Sequence, residues 1–472
     1  MLRRWPVCAV FVLIFISFSS CSTYYQKNRK FNRLFEEGKL ERAENLLASD
    51  EKAARKNSRL LHFMNLGMVQ HLRGEYPASN ESLEKAILIA DDIRKNYLAE
   101  AASFITNPKI LPYPGEDFEL LYLNYIKALN YLKLNDFDAA LVETRRMNNR
   151  LTTLGDKYKS EKRFKRDAFI HNLMGIIYEA NNDHNNAFIA YRNSYNIYQE
   201  DYKSMFGTGA PEQLKQDLVR AAYRTGFTED AQRYEREFGI KYKPVPANSG
   251  ELIFLWHDGL APVKDEWGIT FALVRGEGGM LFFRNQAYNL SFGYDMSDRK
   301  TEDKGLEKVE FVRVAFPRYL ERPLVYTSAK LEYNGQDKPL ELAENVNAVA
   351  QKTLQDRMLL EMGKGLLRLA LKKAAEYSIR EQNEEAGAVV GAINAISEQA
   401  DTRNWQTLPH SIFYTRLYLP AGEQKVKLIT QAPDRPAASS EFTYDVRSDR
   451  TIFQTYMTID AHGPRPMPLQ FD

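Results

Sequence analysis

Cysteine is almost missing from this chain: 472 residues hold only Cys8 and Cys21. Both lie within the first 21 positions, so the rest of the chain has no disulfide, no cysteine nucleophile and no cysteine-ligated zinc. Histidine is also scarce, with seven residues (His62, His71, His171, His184, His257, His410 and His462), and none forms an HExxH or a close HxH pair. The GxSxG elbow, the GxxxxGK[ST] phosphate loop and the GxGxxG strand-to-helix turn are all absent. Charge of one sign is missing as well: 64 Lys and Arg stand against 62 Asp and Glu. A balance this even gives no electrostatic case for nucleic acid, and no nucleic-acid partner is expected. Nothing in these patterns assigns a catalytic residue, a cofactor or a metal.

What the chain does have begins at its start. Met1-Leu2-Arg3-Arg4 is basic, Trp5 to Phe18 is apolar and uncharged, and Ser19-Ser20 precede Cys21. An apolar stretch this short between a basic start and small residues forms a secretory signal. Ser19-Ser20-Cys21 resembles the lipobox of bacterial lipoproteins, with Phe18 in place of the usual Leu. The resemblance implies that residues 1–20 are removed and that the Cys21 thiol is acylated, tethering the chain to a membrane through residues 21–27. Several acyl chains anchor stably where one does not. Removal of Arg3 and Arg4 leaves 62 basic against 62 acidic residues. Ser22 is not the Asp that retains enterobacterial lipoproteins in the inner membrane, so the expected location is the periplasmic face of the outer membrane. The competing reading is a chance cysteine beside a conventional cleavage site.

Residues 28–240 carry an internal repeat. In "FMNLGMVQHLRGEYPASNESLEKA", Leu66, Gly67, Gly74, Tyr76, Leu83 and Ala86 fall in the register of a tetratricopeptide repeat, where small residues let antiparallel helices approach closely. Ala128, Tyr131, Phe137 and Ala140 repeat that register, and so do Gly175, Tyr178, Ala187 and Tyr191. The positions matching Gly74 are Gly38, Asn135, Asn182 and Gly226, at intervals of 36, 61, 47 and 44 residues. These exceed the usual period of about 34, so loops or helices are lengthened. A solenoid of this kind offers a concave groove to a protein partner, through Tyr131, Tyr178 and Tyr191 if they face it.

"KYKPVPANSG", residues 241–250, reads as a linker. Beyond it the apolar period shifts to two, and residues 251–472 read as strands broken by Gly, Asp and Pro turns. Pro420-Ala421-Gly422 reads as a hairpin turn. Residues 340–399 read as a helical insertion, with Val346, Val349, Ala350, Leu354, Met358 and Leu366 on one apolar face. Within it "AGAVVGAINAI" (Ala386 to Ile396) is too short to span a bilayer. The expected fold class is α + β and multidomain: an N-terminal all-α tetratricopeptide-like solenoid, then a β-rich, sandwich-like domain with a long helical insertion.

Two stretches stand out in the second half. "WHDG" (Trp256 to Gly259) puts an imidazole beside a carboxylate, and is read as a chain reversal at Asp258-Gly259. In "EQADTRNWQTLPHSIFYTRLYLPAG", Asp401 or Thr402 offers a turn-capping oxygen, Arg403 five donors, and Trp405 an aromatic plate before Pro409. The segment suits locking the long helix onto the sheet, with Arg403 satisfying buried carbonyls or a carboxylate; a ligand site is the alternative.

The lipobox, the degenerate repeats, "HDGLAPVKDE" (His257 to Glu266) and "ADTRNWQTLP" (Ala400 to Pro409) together resemble a family of bacterial envelope lipoproteins that carry N-terminal tetratricopeptide-like repeats and a C-terminal β-rich domain. The resemblance implies a structural or partner-binding role for Gly259, Pro262, Lys264, Asp401, Thr402, Arg403, Trp405 and Pro409. It also implies a place in envelope assembly, with peptidoglycan machinery as a partner, and no reaction. The expectation is a membrane-anchored, non-catalytic protein-binding scaffold. The alternatives are a hydrolase of envelope polymers, which needs His257 or His410 in a cleft beside Asp258 or Asp401, and a lipid or glycan carrier with an apolar pocket in its β domain.

Overall fold

A computed structural model describes residues 23–100, 111–157, 164–297, 306–382, 384 and 400–467. Cys21, the signal segment and the 386–396 stretch lie outside the described residues.

A single turn, α1 (Tyr24–Lys27), leads into five helical hairpins among the described residues. They are α2 (Arg29–Glu36) with α3 (Leu40–Ala48), α4 (Arg59–Leu72) with α5 (Tyr76–Glu100), and α6 (Asp117–Lys133) with α7 (Phe137–Lys157). Next come α8 (Ala168–Ala180) with α9 (His184–Ile197), a π-helical turn at Tyr198–Tyr202, the short α10 (Lys203–Phe206), and α11 (Glu212–Arg224) with α12 (Thr228–Phe238). The hairpins reverse at the five positions aligned in the sequence. Gly38, Gly74, Asn135, Asn182 and Gly226 have φ of 68°, 79°, 57°, 60° and 79°. Glycine and asparagine are the residues that enter this left-handed region at little cost. At each turn the amide donates three residues back and the next amide five back, as in Asn135 to Leu132 (3.1 Å) and Asp136 to Tyr131 (2.9 Å).

The small residues act as read. A Cβ on Gly175 would lie 2.4 Å from the Tyr191 ring, and one on Gly67 2.6 Å from Leu83. No described helix is long and apolar enough to cross a membrane.

Three sheets follow among the described residues. The wall sheet has the order β12-β1-β9-β8, from β12 (Thr451–Thr458), β1 (Ser249–Asp258), β9 (Ser411–Pro420) and β8 (Glu341–Asn345). The outer sheet has the order β11-β10-β6-β7, from β11 (Arg435–Val446), β10 (Gly422–Ala432), β6 (Ser328–Tyr333) and β7 (Gln336–Pro339). The side sheet has the order β13-β5-β2-β3-β4, from β13 (Arg465–Pro466), β5 (Phe311–Glu321), β2 (Val263–Arg275), β3 (Met280–Asn285) and β4 (Leu290–Asp295).

Strand β1 shows how the layers stack. Alternate side chains point to opposite faces, so Leu252, Phe254 and Trp256 meet Leu331, Val426, Leu428 and Tyr444 of the outer sheet. Ile253 and Leu255 on the other face join one continuous core with the repeat helices, together with Ile412, Tyr414 and Phe453. The wall sheet is therefore buried on both faces, which explains the unbroken apolar run of "ELIFLWH". On the side sheet, Phe271, Phe283, Val312 and Phe316 pack against Met358, Met362, Leu366 and Ala370 of α13 (Val346–Gln382).

Four expectations are corrected. The helix does not begin at Leu340: β8 comes first, and Asn345 caps the helix by accepting the Ala348 amide at 2.9 Å. Pro420-Ala421-Gly422 is not a hairpin, because β9 pairs in the wall sheet and β10 in the outer one, so the turn is a corner between layers. The tether is partly structured: Thr23 caps α1, and the Tyr24 amide donates to Thr402 Oγ1 at 3.2 Å. The groove is not open, because the inner face of the array, expected to receive a partner, packs on the chain's own wall sheet. Tyr191 and Tyr178 are core residues.

Candidate functional site

The motif residues converge where the array meets the β layers. Gly259 has φ +64°, as the chain reversal requires, and a Cβ there would lie 2.5 Å from Leu324. Asn404 bridges the two motifs, donating from Nδ2 to the Pro262 carbonyl (2.8 Å) and accepting the Lys264 amide at Oδ1 (3.2 Å). Ala261 donates its amide to the Leu408 carbonyl at 2.7 Å. Arg403 forks onto Asp401 (2.9 and 2.7 Å) and donates from Nη1 to the carbonyls of Asn57 and Leu111, both at 3.0 Å. Its guanidinium stands 5.2 Å from the centre of the Tyr113 ring. The locking role is thus present with a different target: Arg403 fastens the loop to the repeat array, not the long helix to the sheet. Trp405 and Pro409 are buried in the same loop.

Two glutamates from the start of α6 complete the joint. Glu116 accepts from Lys264 Nζ and from Arg357 Nη1 (2.8 Å). Burial alone would raise its pKa, but Arg357 and Lys264 hold it at about 2. Glu119 accepts the Trp405 amide (2.6 Å) and the Tyr113 hydroxyl (2.8 Å). Burial, reinforced by Glu116, lifts its pKa to about 7.

A second cluster lies further along the array. Arg416, one of the charges on the wall sheet, reaches Glu179 on α8 at 2.9 Å and Glu251 on β1 at 2.5 Å. Glu179 also accepts a fork from Arg220 (2.8 and 2.7 Å) and a bond from Arg224 (3.1 Å). Burial opposes its ionisation, yet Arg220 and Arg416 hold the carboxyl far below the usual carboxylate range. Tyr191 donates to the same carboxylate at 2.9 Å.

The third joint is formed by the π-helical turn and the bulge in β8. The bulge lies between Leu342 and Glu344 and leaves the Ala343 carbonyl to accept from Tyr198 at 2.6 Å. Tyr202 donates to Glu344 at 2.8 Å. Glu344 also shares a hydrogen bond with Asp167, the cap of α8. Burial, then the mutual repulsion of the pair, raises Glu344 well above its usual value; burial lifts Asp167 to about 6. Both shifts favour the protonated form of the pair.

The groups a hydrolase would need lie close in the backbone, where the His410 amide donates to the Asp258 carbonyl at 3.1 Å, but their side chains take separate partners. His257 bonds the Tyr125 hydroxyl at 2.8 Å, and burial drops its pKa to about 3. Asp258 accepts from Thr458 at 2.7 Å, and burial lifts it to about 7. His410 bonds Ser411 (2.9 Å) and Glu321 (3.1 Å), while Asp401 serves Arg403. Among the described residues no three of His, Cys, Asp and Glu are arranged to hold a metal. The space between wall and outer sheets, where a carrier would hold cargo, is filled by Phe254, Trp256, Leu428 and their neighbours. A surface hollow of about 250 Å³ between Tyr25, Arg322, Arg435, Asp460 and His462 is lined by charge.

Sequence reasoning missed Glu116, Glu119, Glu179, Arg357 and Arg416. The readable signal was a lone charge in an apolar element, as in "SIFYTRLYLP" or "MGIIYEA". A charged residue is almost never fully buried unless it is paired.

No family model matches this chain, and no curated protein matches it in sequence. Solved structures resemble its helical part. The MamA protein has 16% identity and a TM-score of 0.29, over 46% of this chain and 96% of that one. A Podosopora anserina putative kinesin light chain with nearly identical TPR-like repeats has 17% identity and a TM-score of 0.30, over 45% and 93%. A tetratricopeptide repeat protein from Parabacteroides merdae has 13% identity and a TM-score of 0.21, over 46% and 79%.

Proposed function

We propose that this chain is a bacterial lipoprotein, acylated at Cys21 and held at the periplasmic face of the outer membrane. There it acts as a non-catalytic, protein-binding scaffold in envelope assembly, with the peptidoglycan machinery as the favoured partner. The observation that carries the reading is the use of the motif side chains. Lys264, Asp401 and Arg403 are spent on joints between array and β layers, and the side chains of His257, Asp258 and His410 bond the buried Tyr125, Thr458 and Ser411 respectively. A body fastened in this way presents fixed surfaces and has its reactive groups inside.

The partner surface is moved from the groove to the outer side of the array. Leu88 (62% exposed), Val142 (44%) and Ile189 (44%) stand out there on α5, α7 and α9, the second helices of three successive hairpins. Isolated exposed apolar residues are ordinary, but Val142 and Ile189 stand at the same place in successive repeats, seven residues beyond the turn residues Asn135 and Asn182, and give a partner a paired contact.

The test has two arms. Cys21→Ala should leave a protein that a high-salt wash releases into the soluble periplasmic fraction; membrane attachment that persists through the wash would contradict anchoring. Crosslinking of the acylated protein in membranes, followed by mass spectrometry, should identify an envelope-assembly partner whose yield falls in Val142→Asp/Ile189→Asp. Equal capture by that folded variant would contradict the outer-face assignment.

A further inference from the structure

The stretch from Thr23 to Phe35 contains Lys27, Arg29, Lys30 and Arg33 and no acidic residue, in a chain whose total charge is nearly balanced. Its helices are seated on the body by one face. Phe31, Leu34 and Phe35 are buried, Asn32 donates to Gln406 at 3.1 Å, and the Tyr24 amide is held by Thr402. All four cations are exposed, and the one acidic residue of α2, Glu36, pairs with Arg322 of the body at 3.3 Å. Among the described residues no carboxylate stands within ion-pair distance of Lys27, Arg29 or Lys30, and Arg33 has a loose 3.9 Å contact with an exposed Glu37.

Covalent geometry limits where this face can be. Tyr24 is three residues beyond Cys21, and consecutive Cα atoms are about 3.8 Å apart, so the two stay within ~11 Å whatever path joins them. If acyl chains hold Cys21 at the lipid headgroups, the start of α1 lies about one Debye length from them and Lys27 follows one helical turn later. Basic side chains at that distance are drawn to anionic headgroups.

We infer that the exposed face of α1 and α2 is a docking surface for an anionic phospholipid bilayer, with Lys27, Arg29, Lys30 and Arg33 as the contacts. This inference rests on the proposed acylation for its location, though not for its chemistry. Because α2 is bonded to the 400–411 loop, the contact fixes how the whole body stands on the membrane. An acyl tether alone leaves the body free to tumble; tether and basic face together set one orientation.

The experiment uses the mature chain from residue 21 carrying Cys21→Ser, which has no acyl chain, so its outcome is independent of whether Cys21 is modified in the cell. It is sedimented with phosphatidylcholine vesicles and with vesicles that also contain phosphatidylglycerol. Binding is expected only to the latter, and should fall as salt rises. Neutralising each of the four residues to Gln should weaken partitioning on the order of fivefold per charge. Lys425→Gln/Lys427→Gln, on an exposed strand face remote in sequence, should leave it unchanged. Equal binding to both vesicle types, or undiminished binding by a fourfold Gln variant with an unaltered melting curve, would overturn the inference. Separately, an unmodified Cys21 in the native protein would remove the anchor while leaving the vesicle result standing.

Discussion

The two long seams of the molecule are built differently. Where α13 lies on the side sheet, the buried contacts described are apolar: Met358, Met362, Leu366, Ala370 and Ala374 against Phe271, Phe283 and Phe316. Where the array lies on the wall sheet, Ile253, Leu255 and Tyr414 share the seam with Arg416, Glu179 and Asp217, all buried and paired. An apolar seam tolerates sliding and repacking, because its attraction has little direction. A buried ion network is a poor source of net stability but is intolerant of any partner's loss. The contrast indicates that the side-sheet seam supplies cohesion, while the array seam specifies one docking geometry.

The comparison breaks most sharply at Arg416. Arg416→Ala leaves Glu179 and Glu251 short of a partner in a buried seam, and should cost about 3–5 kcal/mol, read from the shift in denaturant midpoint. Met362→Ala, deep in the apolar seam, should cost about 2–5 kcal/mol by cavity formation. The informative quantity is rescue: Leu at position 362 should restore most of the loss, and Lys at position 416 should not, since it cannot fork across two carboxylates. Gly175→Ala pushes a methyl into the Tyr191 ring behind the same network, and about 1–3 kcal/mol of overpacking is expected.

The smallest effect concerns pH. Glu344 is raised in the fold relative to its usual 4.5. Above that pH the unfolded chain releases this proton and the folded chain keeps it, so the stability that Glu344 contributes is full below about pH 4.5 and declines as pH rises toward the folded pKa. Glu344→Gln has no proton to lose. Its stability relative to the unsubstituted protein should therefore climb steadily between pH 5 and 8, as followed by chemical denaturation; a pH-independent difference would show that the carboxyl pair holds no extra proton.

Much of the fold was legible because it is written in local chemistry. The five left-handed turn residues, the small residues at helix crossings and the apolar face of α13 all follow from spacing alone. The seam was not legible. A repeat array read by itself offers a groove, and only the long-range pairing of β1 with β9 and β12 reveals that the chain fills that groove with its own sheet. Arg403 was assigned the right chemistry and the wrong target for the same reason: a guanidinium announces that it will bond carbonyls, while Asn57 and Leu111 are hundreds of residues away in sequence. Cys21 remains an expectation from its sequence context.

The central claim is that array and β layers form one cooperative body held by the charged seam. Differential scanning calorimetry on the mature chain tests it directly, with and without Arg416→Ala. A single transition spanning both modules, shifted as a whole to lower temperature by the substitution, is the predicted result. Two independent transitions in the unsubstituted protein, with the repeat array melting at a temperature indifferent to Arg416, would contradict it.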